Sequence, residues 1–228
     1  CVSRPQRSKV FRRLGGPVRV WSEPSGRIIS IMPKDEKSIA RTQARAKRRA
    51  IPAAVRDNAG TKAVAHFLDA IPLTAASVIS AFWPLGDEFD SRPLLYALAD
   101  AGHQVALPVV VGARQPLCFR RWHLGDEMAT SSFGVSEPLA GAEEARPNIV
   151  ITPFLAYNGQ GFRLGYGGGY YDRTLRDLRQ SGAGVLAVGL GFAAQAMATL
   201  PHDSYDEPLD WLISEAGAQR FVHAPGLD

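Results

Sequence analysis

Apolar residues recur at helical spacing early in the chain and in short unbroken runs further on. The stretch from Lys37 to Ala50 is rich in Ala, Arg, Lys and Gln, all good helix formers. Pro52 then fits the start of a second helix to about Ala70, with Val55, Ala59, Ala63, Phe67 and Ala70 along one face. Ser77 to Trp83 is a short apolar run of the kind that forms a buried strand. Arg92 to Ala101 predicts a helix stopped by Gly102. Gln104 to Val111 and Leu117 to Trp122 predict two strands of a hairpin around Gly112-Ala113-Arg114-Gln115. Asn148 to Thr152 reads as a strand ended by Pro153, and Gly169 to Gln180 as a helix closed by Ser181-Gly182. Gly184 to Leu190 is a further strand, Ala193 to Leu200 a short helix before Pro201, and Leu209 to Ile213 and Arg220 to His223 are closing strands. Strands that alternate with helices indicate an α/β layer fold with a mostly parallel sheet, which binds ligands beyond the carboxyl ends of its strands.

The 228 residues are enough for one domain with a real core, burying roughly 70% of the surface of the unfolded chain. Residues 1–36 mix Arg, Pro, Gly and Ser without periodicity and are expected to form a basic, poorly ordered extension. Met32 is the expected natural start. Residues 37–216 read as a single α/β domain and 217–228 as a closing strand and tail.

Charge sharpens this division. Residues 1–50 carry 14 Lys and Arg against 3 acids, a net +11, whereas residues 51–228 carry a net −7. The overall +4 therefore describes neither part. A basic segment can hold nucleic acid, but a solvated charged face is the commoner use, so weak RNA binding is expected of the extension alone. The two cysteines, Cys1 and Cys118, make no disulfide framework and suit a reducing cytoplasm. No apolar run reaches the ~18 residues of a membrane span. The first twenty residues hold arginines and no apolar core of a secretory signal.

The chemistry concentrates in Arg163-Leu164-Gly165-Tyr166-Gly167-Gly168-Gly169-Tyr170-Tyr171-Asp172-Arg173. Four glycines let the backbone come close to a ligand, and the run opens a helix, whose first amides have no partner inside it. Such a place attracts phosphate. Arg163 and Arg173 strengthen that pull, and Asp172 offers a hard oxygen to a magnesium ion carrying the same phosphates, although an acid there also simply favours the helix dipole. The run is neither G-x-G-x-x-G, since Tyr170 replaces the last glycine, nor a Walker P-loop. Lys37 and Arg41 share a helix face and suit a phosphate clamp, against the alternative of a solvated basic helix with Arg45, Lys47, Arg48 and Arg49. Trp83 can stack on a flat ring and Glu88 can accept N–H groups from its edge, against the alternative of a solvated loop. The segment from Pro201 to Asp210 holds acids and His202 at no zinc spacing, and the five histidines show no Ser or Cys partner for a nucleophilic triad.

Four of these pieces, in this order, resemble the 5-formyltetrahydrofolate cyclo-ligase family from about Lys37 to Ser214. Its most specific element is Asn158 to Arg173, where Arg-Leu-Gly-x-Gly-x-Gly-Tyr-Tyr-Asp stands intact. Lys37-Ser38-Ile39-Ala40-Arg41 looks like the family's opening Lys-x-x-x-Arg, Phe82 to Leu95 like its substrate loop, and Leu200 to Asp210 like its closing acidic segment. The resemblance implies a three-layer α/β/α fold related to the sugar-phosphate isomerase and CoA-transferase group. It implies conversion of 5-formyltetrahydrofolate to 5,10-methenyltetrahydrofolate with ATP and Mg²⁺, in a cytoplasmic enzyme that we expect to be a monomer. Carried over, Lys37 to Arg41 and Arg163 to Tyr171 bind ATP. Trp83, Glu88, Tyr166, Gly167, Gly168, Gly169 and Tyr170 face the folate, Arg163 and Tyr170 act in catalysis, and Asp172 and Asp206 bind the metal. Gly168 departs from a common version of the motif that has lysine there, leaving Arg163 or Arg173 as the replacement cation. The competing readings are a related α/β protein for a phosphorylated sugar or CoA ester, without ATP cleavage, and a basic-tailed RNA-binding protein.

Overall fold

In the computed structural model, which describes residues 33–182 and 184–223, the elements run in chain order as follows. Helix α1 is Pro33–Arg49 and α2 is Ala53–Ala70, then come β1 (Val78–Ser80), α3 (Arg92–Asp100), β2 (Gln104–Val109) and β3 (Cys118–Arg121). Next are β4 (Met128–Thr130), β5 (Ser136–Pro138), β6 (Ile149–Thr152), β7 (Ala156–Tyr157), β8 (Arg163–Leu164) and α4 (Tyr170–Gln180). The chain closes with β9 (Leu186–Leu190), a 3-10 turn at Ala193–Gln195, β10 (Trp211–Ser214) and β11 (Gly217–Arg220). The expected start at Met32 and nearly all of the basic extension lie outside the described residues.

Seven strands form one sheet in the order β11-β10-β9-β6-β1-β2-β3. Its interior pairs are parallel, and antiparallel β3 and β11 close the two edges. Alternation along each strand sends successive side chains to opposite faces. Ile149 and Ile151 of β6 accordingly join Phe67 of α2 and Leu94, Leu95 and Leu98 of α3 on one face. Val150 joins Leu175 and Leu178 of α4 on the other. The result is the three-layer α/β/α architecture expected above.

A third, smaller cluster decides where the functional residues stand. Ala40 and Ala44 of α1 pack against Leu155, Ala156 and Leu164, seating α1 on the two-stranded β7–β8 ribbon. Alanines leave no bulk between helix and ribbon, so the polar neighbours of Ala40 are carried up to the glycine run.

Two expected elements differ. The helix over Ala193 to Leu200 is a single 3-10 turn, because Gln195 bonds inward, its Nε2 donating to the carbonyls of Phe154 and Leu155. The last strand lies at Gly217–Arg220 rather than Arg220 to His223, since a tight turn at Glu215 and Ala216 folds the chain straight back onto β10. The β4–β5 and β7–β8 ribbons, too short to show periodicity, were not expected at all. Packing at the carboxyl end of β9 also yields a stability test. A Cβ at Gly191 would sit 2.4 Å from the ring of buried Phe154. Overpacking of this kind costs about 1–3 kcal/mol. Gly191→Ala is expected to lower the urea midpoint accordingly; an unchanged midpoint contradicts the packing.

Candidate functional site

Two clefts of opposite character meet at the glycine run. It follows β8, and Gly169 caps α4 with φ of +64°, a left-handed conformation that glycine takes without steric cost. On one side lies a cavity of about 440 Å³ behind the carboxyl ends of β1, β2 and β6. Its walls are mostly apolar and aromatic, with Trp83, Phe133, Tyr166, Tyr170 and Tyr171, and Glu88 supplies a carboxylate. On the other side a cavity of about 470 Å³ is lined by Lys37, Arg41, Arg173 and Arg176 and by Asp172, Asp203 and Asp206. Arg163, Gly165, Gly169 and Asp172 border both.

Arginines hold the glycine run from three directions. Arg41 Nε donates to the Gly165 carbonyl at 3.0 Å. Arg173 donates to the Gly168 carbonyl, and its guanidinium lies 5.6 Å from the Tyr170 ring centre. Arg48 Nη1 donates to the Tyr166 hydroxyl at 2.5 Å. Arg41 and Arg173 thus occupy carbonyl oxygens that would otherwise repel a phosphate. A Cβ at Gly168 would come within 2.6 Å of the Tyr170 ring, so here the tyrosine fills the space that a side chain at 168 would need.

Arg163 is the buried cation of the site. Its Nη1 donates to the Glu207 carbonyl at 2.7 Å and its Nη2 pairs with Asp172 Oδ1 at 3.0 Å. The Glu207 amide donates to the same Oδ1 at 3.2 Å, which leaves Asp172 Oδ2 without a partner among the described residues. Asp206 pairs with Lys37 Nζ at 2.6 Å, and Asp203 pairs with it at 2.9 Å. Burial lowers the Lys37 pKa, but the hydrogen bonds and charges of Asp206 and Asp203 outweigh this and raise it above its ordinary value. The hydrogen bond from Lys37, with that from the Tyr205 amide, holds the Asp203 carboxyl below the usual range.

On the apolar side, burial pushes the Glu88 carboxyl above its ordinary range, against the opposing pull of the Tyr166 hydroxyl, the Leu85 amide and the Arg48 charge. Glu88 Oε2 accepts the Leu85 amide at 2.8 Å. Burial and the neighbouring Glu88 raise the Tyr166 and Tyr171 phenols, so both remain neutral hydroxyls at ordinary pH. Trp83 stands edge-on to Trp122 at 6.0 Å.

The structure therefore brings Lys37, Arg41, Arg163, Gly165, Gly167, Gly169, Asp172 and Asp206 around the polar cleft, and Trp83, Glu88, Gly168 and the tyrosines around the apolar one. Ser38 and Ile39 are exposed and Ala40 lies in the core, so none of the three lines either cleft. Sequence reasoning missed Arg48, Asp87, Phe133 and Arg176. Arg48 had a legible signal, because it continues the helix stripe Ala40, Ala44 that faces inward. Phe133 had none, since it belongs to a ribbon without periodicity, yet it meets Tyr170 edge-on at 6.3 Å.

Magnesium is compatible with these donors. It takes hard oxygens, and one or two carboxylates plus phosphate oxygens suffice. No group of three or more His, Cys, Asp or Glu among the described residues forms a self-sufficient metal cage. Nor is any described helix long and apolar enough to cross a membrane.

The fold and site define an α/β/α protein with an arginine-supported glycine turn, between an apolar aromatic cleft and a polar one suited to anions. The model of the 5-formyltetrahydrofolate cyclo-ligase family matches residues 33–215, and the chain belongs to that family. It is 29% identical over 175 residues to the 5-formyltetrahydrofolate cyclo-ligase of Escherichia coli K12, covering 75% of this chain and 95% of that one. With the enzyme of the same name from Mycolicibacterium smegmatis it shares 31% identity, over 73% of this chain and 89% of that one. The solved Aquifex aeolicus 5,10-methenyltetrahydrofolate synthetase superposes with a TM-score of 0.70 at 26% identity, over 84% of this chain and 96% of that one.

Proposed function

We propose that this enzyme converts 5-formyltetrahydrofolate to 5,10-methenyltetrahydrofolate, using Mg-ATP and releasing ADP and phosphate. The observation that carries the reading is the junction at the glycine run, where a largely apolar cleft that holds Glu88 adjoins a polar cleft lined with cations. A flat reduced folate suits the first, with Trp83 and Tyr170 against its rings and Glu88 accepting its N–H edge. The triphosphate suits the second, with the glycine-run amides, Lys37, Arg41 and Arg163 around it.

The chemistry needs this arrangement. A formamide oxygen is a poor leaving group until it is phosphorylated. The formyl oxygen attacks the terminal phosphorus and the bond to ADP breaks. The N10 nitrogen then attacks the formyl carbon and loses its proton, and the C–O bond breaks to release phosphate and leave the methenyl bridge. No side chain has to take a proton from the attacking oxygen, since an amide oxygen carries none. The protein's work is to align the two substrates and to neutralise charge. Arg163, at the border of both clefts, would meet the transferring phosphoryl group, and Tyr170 covers Gly168 with the Arg173 guanidinium near its ring. Arg173 is the cation that stands in for lysine at position 168. Bound Mg²⁺ would be held by Asp172 Oδ2, with Asp206 contributing once Lys37 turns to phosphate, and would draw charge from the phosphate oxygens.

With Mg-ATP and 5-formyltetrahydrofolate, purified protein is expected to develop the near-ultraviolet absorbance of the methenyl product, with one ADP released per turnover. No absorbance beyond an enzyme-free control overturns the reading. Binding of a phosphorylated sugar or CoA ester without ADP release would favour the competing α/β protein. We further propose a cytoplasmic location, supported by Cys118, which is unpaired among the described residues and suits a reducing compartment, and a monomeric state.

A further inference from the structure

The segment from Pro201 to Pro208 belongs to no helix or strand, so side chains must help to fix its backbone. Glu207 does this from both ends of the residue. Its carboxylate is largely buried and accepts two arginines of α4, Arg176 Nε at 3.0 Å on Oε1 and Arg179 Nη1 at 2.7 Å on Oε2. Arg176 also donates to the Ser204 carbonyl at 3.2 Å, and Arg179 to the Pro208 carbonyl at 2.9 Å. The main chain of Glu207 meets two residues of the site instead. Its carbonyl accepts Arg163 Nη1 at 2.7 Å, and its amide donates to Asp172 Oδ1 at 3.2 Å. Asp172, Arg176 and Arg179 stand four and then three residues apart on α4, which places them on one stripe of the helix. All three side chains of that stripe address residue 207.

We infer that Glu207 is a positioning residue: clamped to α4 by Arg176 and Arg179, it sets the main-chain groups that orient Arg163 and Asp172 where the two clefts meet. Its carbonyl fixes one arm of the Arg163 fork while Asp172 Oδ1 fixes the other, at 3.0 Å. Its amide helps to engage Oδ1 of Asp172, so that Oδ2 is the oxygen left without a partner among the described residues. The adjoining backbone offers little else to hold residue 207. The Asp206 amide donates within the segment, to the Asp203 carbonyl at 3.1 Å, and Pro208 has no amide to give. The Leu209 amide anchors the far side on the Gly161 carbonyl at 2.9 Å, leaving the carboxylate clamp to hold the side against α4. Glu207 lines neither cleft, so it acts on turnover only through Arg163 and Asp172. That effect on turnover rests on the folate and Mg-ATP reading, whereas the hold on Arg163 is a property of the free protein. A merely structural ion pair would pin the segment to α4 and leave the Arg163 fork as it is.

The test has two readouts. In free, ¹⁵N-arginine-labelled protein, with the Arg163 resonances assigned by their loss in Arg163→Lys, the wild type is expected to show separate Nη1 and Nη2 signals, because both arms of a buried fork are held. Glu207→Gln is expected to merge or broaden them. Arg179→Gln cuts the same clamp from its other side, lines neither cleft and leaves Asp210 held by the Ala187 amide at 2.7 Å, so it is expected to act in the same direction. In turnover, measured well below each variant's unfolding temperature, both variants are expected to lose about tenfold in kcat and to need more Mg²⁺ for half-maximal rate, the scale of losing a group that orients a metal ligand. KM for the folate should stay unchanged. The double variant should lose no more than either single one, since both remove one interaction. Arg163 signals that are already merged in the wild type, or that stay separate in folded Glu207→Gln, overturn the inference. So does a double variant whose loss is the product of the single losses. Should Glu207→Gln not fold, separate signals and wild-type kcat in Arg179→Gln overturn it. If the Arg163 signals merge as expected but the wild type turns over no folate, the folate reading fails and the hold of Glu207 on Arg163 stands.

Discussion

Arg163→Ala is expected to cut turnover of 5-formyltetrahydrofolate and ATP by about a thousandfold, the scale on which arginines at transferring phosphoryl groups act. The side chain borders both clefts and is held rigid by the Glu207 carbonyl and Asp172. A cation that is already oriented pays no cost of reorganisation when charge develops at the terminal phosphate. Alanine removes that charge and leaves the Glu207 carbonyl without its donor, at a stability cost of roughly 1–3 kcal/mol. Assays should therefore be run well below the measured unfolding temperature of the variant. Arg163→Lys separates charge from geometry, since one ammonium cannot reproduce the planar fork that spans both acceptors. It is expected to recover only part of the loss. A folded Arg163→Ala enzyme within tenfold of wild type would remove Arg163 from phosphoryl transfer.

Asp172→Ala is expected to lose about a hundredfold in kcat/KM for ATP, and excess Mg²⁺ should restore only a fraction of it. The magnitude is that of disturbing the shell around a metal. Asp172 stands in the first turn of α4, where a carboxylate also favours the helix dipole. That simpler role predicts a small loss of stability, about 0.3–1 kcal/mol, and no magnesium dependence. Asp172→Asn keeps an oxygen for Arg163 and the Glu207 amide but removes the charge, so it should lose activity with less loss of stability than alanine. Wild-type turnover of Asp172→Ala at any magnesium concentration would contradict the metal role.

The legible and illegible parts of this site differ in a physical way. The glycine run could be read because its residue types are unusual for a structural turn: a chain that only needs to bend has no use for Arg163 and Asp172 beside four glycines. The helices and parallel strands could be read because burial on one face imposes a period on the residues themselves. Arg48 was passed over because charge in a basic helix usually means solvent, and its true setting depends on Asp87 and Tyr166, 39 and 118 residues away. Ser38 and Ile39 were included because a contiguous motif hides the helix geometry that turns neighbouring side chains to opposite sides. The Phe133 ribbon lies over the apolar cleft without any pattern of its own, as its place is set by what it packs against.

Local sequence alone determined the layered α/β class, the glycine turn before α4 and the kinship that four ordered motifs carry. Each of these is written within a few adjacent residues, by backbone freedom, periodicity or side-chain chemistry. Tertiary structure decided that the turn divides two clefts of opposite polarity, that Lys37 faces Asp203 and Asp206, and that buried Arg48 joins Asp87 to Tyr166. Those facts come from long-range packing, above all the alanine face of α1 on the β7–β8 ribbon, because which cation meets which carboxylate is set by where the core places them.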